Sequence, residues 1–416
     1  MPERDDTMLK LERCPKVSPV TGIRTVTPEE TVRRALPLLE KAGMRPLEEI
    51  TQLDNLGIPV FSVHRDMTAK GTFGNYNGKG ATREQAMASA VMEALERYSA
   101  EQREDDDIVY GTFEQASANG LAVNPFELNL SPNIAQYAKG AEIAWVEGFE
   151  MFRGQPVWVP ACEAFYPYYP DTDLQLTRFH TNGIASGNTM EEAILHALFE
   201  LVERDAWSIA EFNEYSDADI EVDTEDSVSR RLLDQFEDNG IEIHLKDLTS
   251  DIGIPTIGAA ADDTVSKDPE LLTIGVGTHL DPEIACVRAL TEVAQSRTTH
   301  KHGVKINAQL QKKTQDMGYE RIKKINRMWY GPSKRTIKLS EMKNEATDYV
   351  LDDIEGVLEK LMNRGFDMVC CVDLTREEIG VPVVRMVVPG LEVMTMDHER
   401  EGPRLYGNWP VREPRL

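Results

Sequence analysis

The chain has 416 residues, room for two or three structural units at about 150 residues each, and its 41% hydrophobic and 28% charged residues exclude a disordered or low-complexity chain. With 45 Lys plus Arg against 71 Asp plus Glu, the net charge is −26, and no basic patch is locally concentrated, which argues against nucleic-acid binding and suits a protein kept soluble in a salty cytoplasm. No apolar run approaches the roughly 18 residues of a membrane span and the first 25 residues lack a signal-peptide core, so a soluble, cytoplasmic protein is expected.

In chain order, the first organised stretch is LPLLEKAGMRPLEEITQLDNLGIPVFSVHR at 36–65, and related stretches recur at 232–260 and 357–388. Each opens with an amphipathic helical pattern closed by a glycine (Gly43, Gly240, Gly365), as a helix C-terminal cap demands. A strand-like run follows, then a polar turn, then Gly-Ile/Val-Pro (Pro59, Pro255, Pro382) leading into a second strand. Helix–strand–strand repeats build an α+β fold with mixed sheets, read here as a single domain over 1–416.

The segment 77–101, NGKGATREQAMASAVMEALERYSAE, reads as a glycine-containing loop entering a helix capped by Thr82, the loop offering backbone donors and a helix N-terminus. On that helix Ser89, Glu93 and Glu96 share one face. The proline- and aromatic-rich middle, about 105–180, supplies strands and loops without a readable role. The segment 182–207, NGIASGNTMEEAILHALFELVERDAW, matches the earlier one from its Asn-Gly onward and puts Glu192, His196, Glu200 and Glu203 on one face, His196 reading as a core or supporting histidine. The segment 281–297 repeats the theme with Arg288, Glu292 and Gln295. The five cysteines are scattered, which gives no disulfide framework or zinc cage, and His300 and His302 read as a solvated pair.

Helices apolar nearly all round are buried helices, and their carboxylates require compensation. Any single Glu-x-x-x-Arg pair is best read as an ion pair, Glu93 with Arg97 or Glu200 with Arg204. Three such stripes favour a shared site instead, in which magnesium takes carboxylate and phosphate oxygens while Lys79, Arg97, Arg204, Arg288 and Arg297 offer phosphate-binding groups.

Ser89-x3-Glu93-x2-Glu96-Arg97, Asn188-x3-Glu192-x7-Glu200-x2-Glu203-Arg204 and Glu292-x2-Gln295-x-Arg297 resemble the three signature segments of the YcaO family of ATP-dependent enzymes that modify peptide backbones. The resemblance implies magnesium ligation by Glu93, Glu192 and Glu203 with Glu96 and Glu200 beside them, and more than one Mg²⁺. It implies ATP contacts or support from Ser89, Arg97, Ala185, Asn188, Glu292, Gln295 and Arg297, and, nearer the N-terminus, Arg24 and Thr31 stand where the family has a Lys and a Ser. The family's chemistry adds a nucleophile to a peptide carbonyl and phosphorylates the oxyanion, so no side-chain nucleophile of the enzyme is needed. The Pro-x-Pro-x-Pro tail of azoline-forming members is absent from GNWPVREPRL. The segments are most similar to archaeal stand-alone members that form thioglycine in the methyl-coenzyme M reductase alpha subunit, in methanogenesis, with sulfide or a sulfur-donor protein, often a TfuA partner, and a homodimeric state. Alternatives are azoline formation, a small-molecule ATP-dependent ligase, or a non-enzymatic scaffold binding a structural cation.

Overall fold

Gly43, Gly240 and Gly365 sit at φ +67°, +71° and +84°, the left-handed backbone that ends a helix at low cost only in glycine and lets the chain turn back as a strand. The structure, a computed structural model, describes residues 9–18, 22–72, 74–301 and 308–407. His302 and the tail residues 408–416 lie outside the described residues.

Behind Gly43 the chain forms β1 (Glu48–Glu49), β2 (Val60–His64) and β3 (Asn75–Lys79), an antiparallel sheet in that order. Behind Gly240, β10 (Ile241–Asp247), β11 (Thr256–Asp263) and β12 (Ile274–Thr278) form another antiparallel run. On its far edge β9 (Ala218–Glu221) pairs with β10, and β13 (Thr336–Lys338) pairs with β9 in parallel. Behind Gly365, β14 (Cys370–Asp373) and β15 (Val383–Val387) are antiparallel, and β15 pairs with β8 (Ile184–Ser186). The middle of the chain extends that third sheet beyond β14 with β6 (Ile143–Glu150), β7 (Gln155–Pro160), β5 (Leu121–Ala122) and β4 (Val109–Gly111), the last on β6. With β5 parallel to β7, the second and third sheets are mixed while the first is antiparallel, and the architecture is α+β.

Six helices frame them: α1 (Pro28–Ala35), α2 (Arg83–Ser99), α3 (Met190–Asn213), α4 (Val228–Asp238), α5 (Pro282–Lys301) and α6 (Val350–Asn363). Each sheet ends in a strand followed directly by a long helix: β3 by α2, β12 by α5, β8 by α3. In the third unit that strand and helix precede the hairpin in sequence, as in a circular permutation. A glycine marks each close approach of strand to helix. A Cβ added to Gly78 would stand 2.0 Å from Ala90 N, one on Gly277 2.2 Å from Ala285 O, and one on Gly187 2.5 Å from Ala193 N.

Apolar faces alternate along β14, where Cys370 joins the core beneath α2 and Cys371 the core between α3 and α6. A third core lies between α4, α5 and the β10–β11 hairpin. Among the described residues no helix is long and apolar enough to cross a membrane.

Candidate active site

Helix α2 begins with a reciprocal capping box, Thr82 accepting from the Gln85 amide and Gln85 returning the bond. Helix α3 keeps only half of that device. Thr189 accepts from the Glu192 amide at 3.3 Å, but the Glu192 carboxylate turns away to take Thr25 N and Oγ1 at 2.5 Å each and Asn188 N and Nδ2 at 2.9 and 2.7 Å. Four donors fix this carboxylate at the mouth of α3 and tie the N-terminal segment to it.

From there the carboxylates of three helices share one electrostatic field. Glu96 bridges Arg97 at 2.9 Å and accepts from the Ser186 amide at 2.9 Å, while Glu93 lies 3.6 Å from Arg97. Lys79, the last residue of β3, reaches across to Glu292 of α5 at 2.5 Å. Burial, then the charges of Glu93 and Glu200, push Glu96 up to about 8. Burial and the Glu292 charge push Glu203 up to about 7. Glu292 stays below its ordinary range, because Lys79 and Arg204 outweigh its burial. Burial also raises Glu93, helped by Glu200 and Glu292, although 34% of its side chain remains open to solvent. Glu93 thus stands at the open side of a cleft whose inner carboxylates, Glu96 and Glu203, are buried at 6% and 3% exposure.

Cations gather around the same cleft. Burial lowers His196 to about 3, and Arg288, Arg24, Lys79 and Arg97 depress it further, so its imidazole is neutral. Arg24, desolvated beside Glu192 and Arg288, donates to Thr31 Oγ1 at 3.5 Å. Buried polar atoms here lack partners: Glu203 Oε2, Arg204 Nε and Arg288 Nε, while the Arg204 guanidinium stacks over Trp207 at 5.1 Å. Idle carboxylate oxygens suit a hard divalent cation and idle guanidinium N–H groups suit phosphate, so this donor set fits a magnesium–nucleotide ligand. A neutral imidazole among cations avoids adding another charge.

The structure thus brings Arg24, Thr31, Lys79, Glu93, Glu96, Arg97, Glu192, Glu200, Glu203, Arg288 and Glu292 into one neighbourhood through hydrogen bonds, ion pairs and mutual charge effects. Asn188 joins them through Glu192. Ser89 is half-buried one turn before Glu93, and Ala185 is a buried β8 residue beside the Ser186 amide that Glu96 uses. Gln295 donates its side-chain amide to Asn77 O, holding β3 against α5.

Three expectations change. Residues 77–79 belong to β3, and Gly78 and Gly80 answer the approach of α2, a Cβ on Gly80 meeting Ala86 N at 2.6 Å; the glycines serve packing and not a phosphate-cradling loop. Arg297 is 2% exposed and held by Asp54 at 3.0 Å, Asp263 at 3.1 Å and Leu271 O at 3.4 Å. Its guanidinium is therefore spent on a buried ion pair rather than offered to the cleft. The third expectation is narrowed: of the two readings of His196, core or supporting, its place among the cleft's cations favours the supporting one. The sequence also gave no sign of Thr25, while Ser186 sits inside the NGIASGNT motif where a donor to Glu96 could have been sought.

A family model described as YcaO cyclodehydratase, ATP- and Mg²⁺-binding, matches residues 77–392. An uncharacterized protein of Methanothermobacter thermautotrophicus is 45% identical over 386 residues, covering 92% of this chain and 98% of its own length. An uncharacterized protein from the tfuA 3′ region of Rhizobium leguminosarum bv. trifolii is 30% identical over 392 residues, 89% of either chain. The YcaO structure of Methanopyrus kandleri, bound with AMPPCP and Mg²⁺, superposes with a TM-score of 0.77 at 32% identity, covering 96% of this chain and 99% of that one.

Proposed function

The chain belongs to the YcaO family of ATP-dependent enzymes, and we propose that it uses ATP and Mg²⁺ to convert a backbone glycine amide of a protein, the methyl-coenzyme M reductase alpha subunit, to thioglycine. In this reading Glu93, Glu192 and Glu203 hold magnesium with Glu96 and Glu200 beside them, and Arg24, Thr31, Lys79, Ser89, Arg97, Ala185, Asn188, Arg288, Glu292 and Gln295 hold or support the nucleotide. Magnesium-bound ATP supplies the phosphoryl group that makes an amide oxygen a leaving group. The overall change balances: amide, hydrosulfide and ATP give thioamide, ADP and phosphate, the oxygen leaving in the phosphate.

The residues of the chain orient and neutralise. In this reading Arg97, Arg204 and Arg288 would neutralise the negative charge that grows during phosphoryl transfer. Neutral His196 accepts or donates a hydrogen bond without drawing a proton from the nucleophile.

The observation that carries the reading is the gathering of acids and cations around buried Glu203 Oε2, Arg204 Nε and Arg288 Nε, which have no partners among the described residues; the state of the thiols agrees with it. Four of the five cysteines are buried, and burial holds every one above its ordinary pKa, Cys162 at about 11. Protonated thiols are poor nucleophiles near neutral pH, which agrees with a nucleophile supplied from outside the chain. The uncharacterized Methanothermobacter relative supports the archaeal side of this reading, and the Rhizobium relative in the tfuA region supports a TfuA partner; a homodimer is the expected assembly.

The test incubates the protein with Mg²⁺–ATP, sulfide and a glycine-containing peptide of that reductase subunit, with and without TfuA. Exchange of one oxygen for sulfur, dependent on ATP, supports the proposal. Sulfide-independent loss of water would assign azoline formation, and turnover with a small amine or acid but no peptide would assign a ligase.

A further inference from the structure

Outside the carboxylate cleft, a second buried polar cluster forms where the middle of the chain meets β15 and the C-terminal segment. Glu163, His180, Asn182, Leu201, Arg385 and Arg400 line a cavity in which the centre of a water-sized sphere can move over ≈ 30 Å³. Arg385 Nη2 lies 3.5 Å from Glu163 Oε2, and Arg400 Nη1 lies 3.2 Å from Glu163 Oε1, so two guanidiniums face one carboxylate. His180 adds no negative charge. Its ring is neutral, held down to about 3 by burial and then by Arg385, yet Nδ1 faces Arg385 Nη2 at 3.3 Å and Nε2 faces Arg400 Nη1 at 3.1 Å. A neutral imidazole accepts at only one of those nitrogens.

The lining also holds idle groups. Asn182 is 1% exposed, and neither its Oδ1 nor its Nδ2 has a partner; Arg385 Nε is equally idle. A buried polar group without a partner has given up its water for nothing and destabilises the fold. Glu163 Oε1 accepts no hydrogen bond either, and Glu200 offsets part of the charge of Arg385 from the cleft side; water in the cavity would satisfy the amide but would not help the one carboxylate that lines it to balance two guanidiniums. A small anion does both. The other walls, Leu201, Met386 and Val388, favour a polarizable anion that gives up its hydration easily. The cavity also shares the field of the cleft, since Glu200 acts on Arg385 and Arg204 on His180.

We propose that this cavity binds a small polarizable monoanion and that, resting on the thioamidation reading, it holds the hydrosulfide nucleophile beside the cleft. Bromide, a monoanion of similar size with an anomalous signal, is the structural probe, and the Asn182→Leu variant fills the cavity without creating an unpaired charge. The expected results are bromide density in wild-type crystals that the variant lacks, and an increase of about tenfold in the variant's KM for sulfide, the loss of about one hydrogen bond to an anion. KM for ATP and for peptide should not move. No bromide in the cavity, or a folded variant with the wild-type KM for sulfide, overturns the site. If wild type shows no sulfide-dependent turnover while bromide occupies the cavity, the anion site stands and the thioamidation reading falls; with no bromide either, both fall.

Discussion

Gly78→Ala tests whether the cleft depends on how closely β3 and α2 pack. The added Cβ would lie 2.0 Å from Ala90 N and 2.4 Å from Ala86 O, where ordinary contact begins at 3.4 Å, so strand and helix must part by about 1.4 Å. Both obstacles are backbone, and no side chain can rotate out of the way. Overpacking of this kind costs about 1–3 kcal/mol, a few degrees of Tm in a chain this long. The larger effect is on the site, because α2 carries Glu93 and Glu96 toward Glu203 and Glu292, and a misplacement of about 1 Å in a catalytic constellation lowers rate about 10²-fold. Gly356→Ala is the control: Gly356 lies within α6 with nothing within 4 Å of its added Cβ, and alanine there should stabilise by about 0.5–1 kcal/mol without touching the cleft. Titration calorimetry of Mg²⁺–ATP on both variants, beside thermal melts, gives the comparison. A folded Gly78→Ala protein with wild-type affinity would refute the reasoning, since the helix would then not set the site.

Glu96→Gln should abolish Mg²⁺–ATP binding yet raise the Tm of the metal-free protein in EDTA. A carboxylate whose folded pKa is raised to about 8 loses stability as pH climbs from its unfolded value toward 8, so the gain, about 2–4 kcal/mol, should be full above pH 8 and vanish below pH 4. Arg297→Gln should cost about 3–5 kcal/mol by stranding Asp54 and Asp263, with ATP affinity unchanged in the folded fraction; a specific loss of affinity would return Arg297 to the cleft. Acid should unfold the chain in two stages. His180 is held to about 3 and Glu163 to about 2, so the unfolded chain takes up protons first: stability falls below pH 6.5 through His180 and below about 4.5 through Glu163, by several kcal/mol together. Urea melts from pH 8 to pH 3 measure it, and Arg400→Met, which strips a partner from Glu163, should shrink the lower stage.

What the sequence made legible was local. The glycines at 43, 240 and 365 end helices because the left-handed turn is decided within a few residues, and the Thr82 capping box spans four. The carboxylate stripes were visible because helical spacing alone puts Glu93 and Glu96 on one face. Arg297 was misjudged because its partner Asp54 is 243 residues away, and an Arg that completes a signature looks alike in a buried ion pair and in a phosphate site. Residues 77–80 misled for a related reason: close backbone approach by a phosphate and by a helix both demand the missing Cβ, and only the distance from Gly78 to Ala90 tells them apart. The Glu163–His180–Arg385–Arg400 cluster was invisible, since it draws on the unpatterned middle, the β14–β15 hairpin inside the third sheet and the C-terminal segment.

The placement of the cleft follows from how the three strand–helix units close on one another. Each unit's helix-leading strand ends against the helix of another unit. Lys79 at the end of β3 meets Glu292 on α5 at 2.5 Å, the amide of Ser186 at the end of β8 meets Glu96 on α2 at 2.9 Å, and His279, just past β12, packs on Phe199 of α3 with ring centroids 5.0 Å apart. The contacts close a ring in which α2, α3 and α5 each receive one neighbour's strand end, and the carboxylates of all three helices necessarily face its centre. Two of the three contacts are charged or charge-assisted, and the third is an uncharged ring pair, since burial leaves His279 well below its ordinary pKa. The ring therefore neutralises Glu292 and steadies Glu96 while nothing in it reaches Glu203, whose Oε2 is left without a partner. Repetition of one unit thus accounts for the convergence of acids and leaves Glu203 Oε2 for a cation to take.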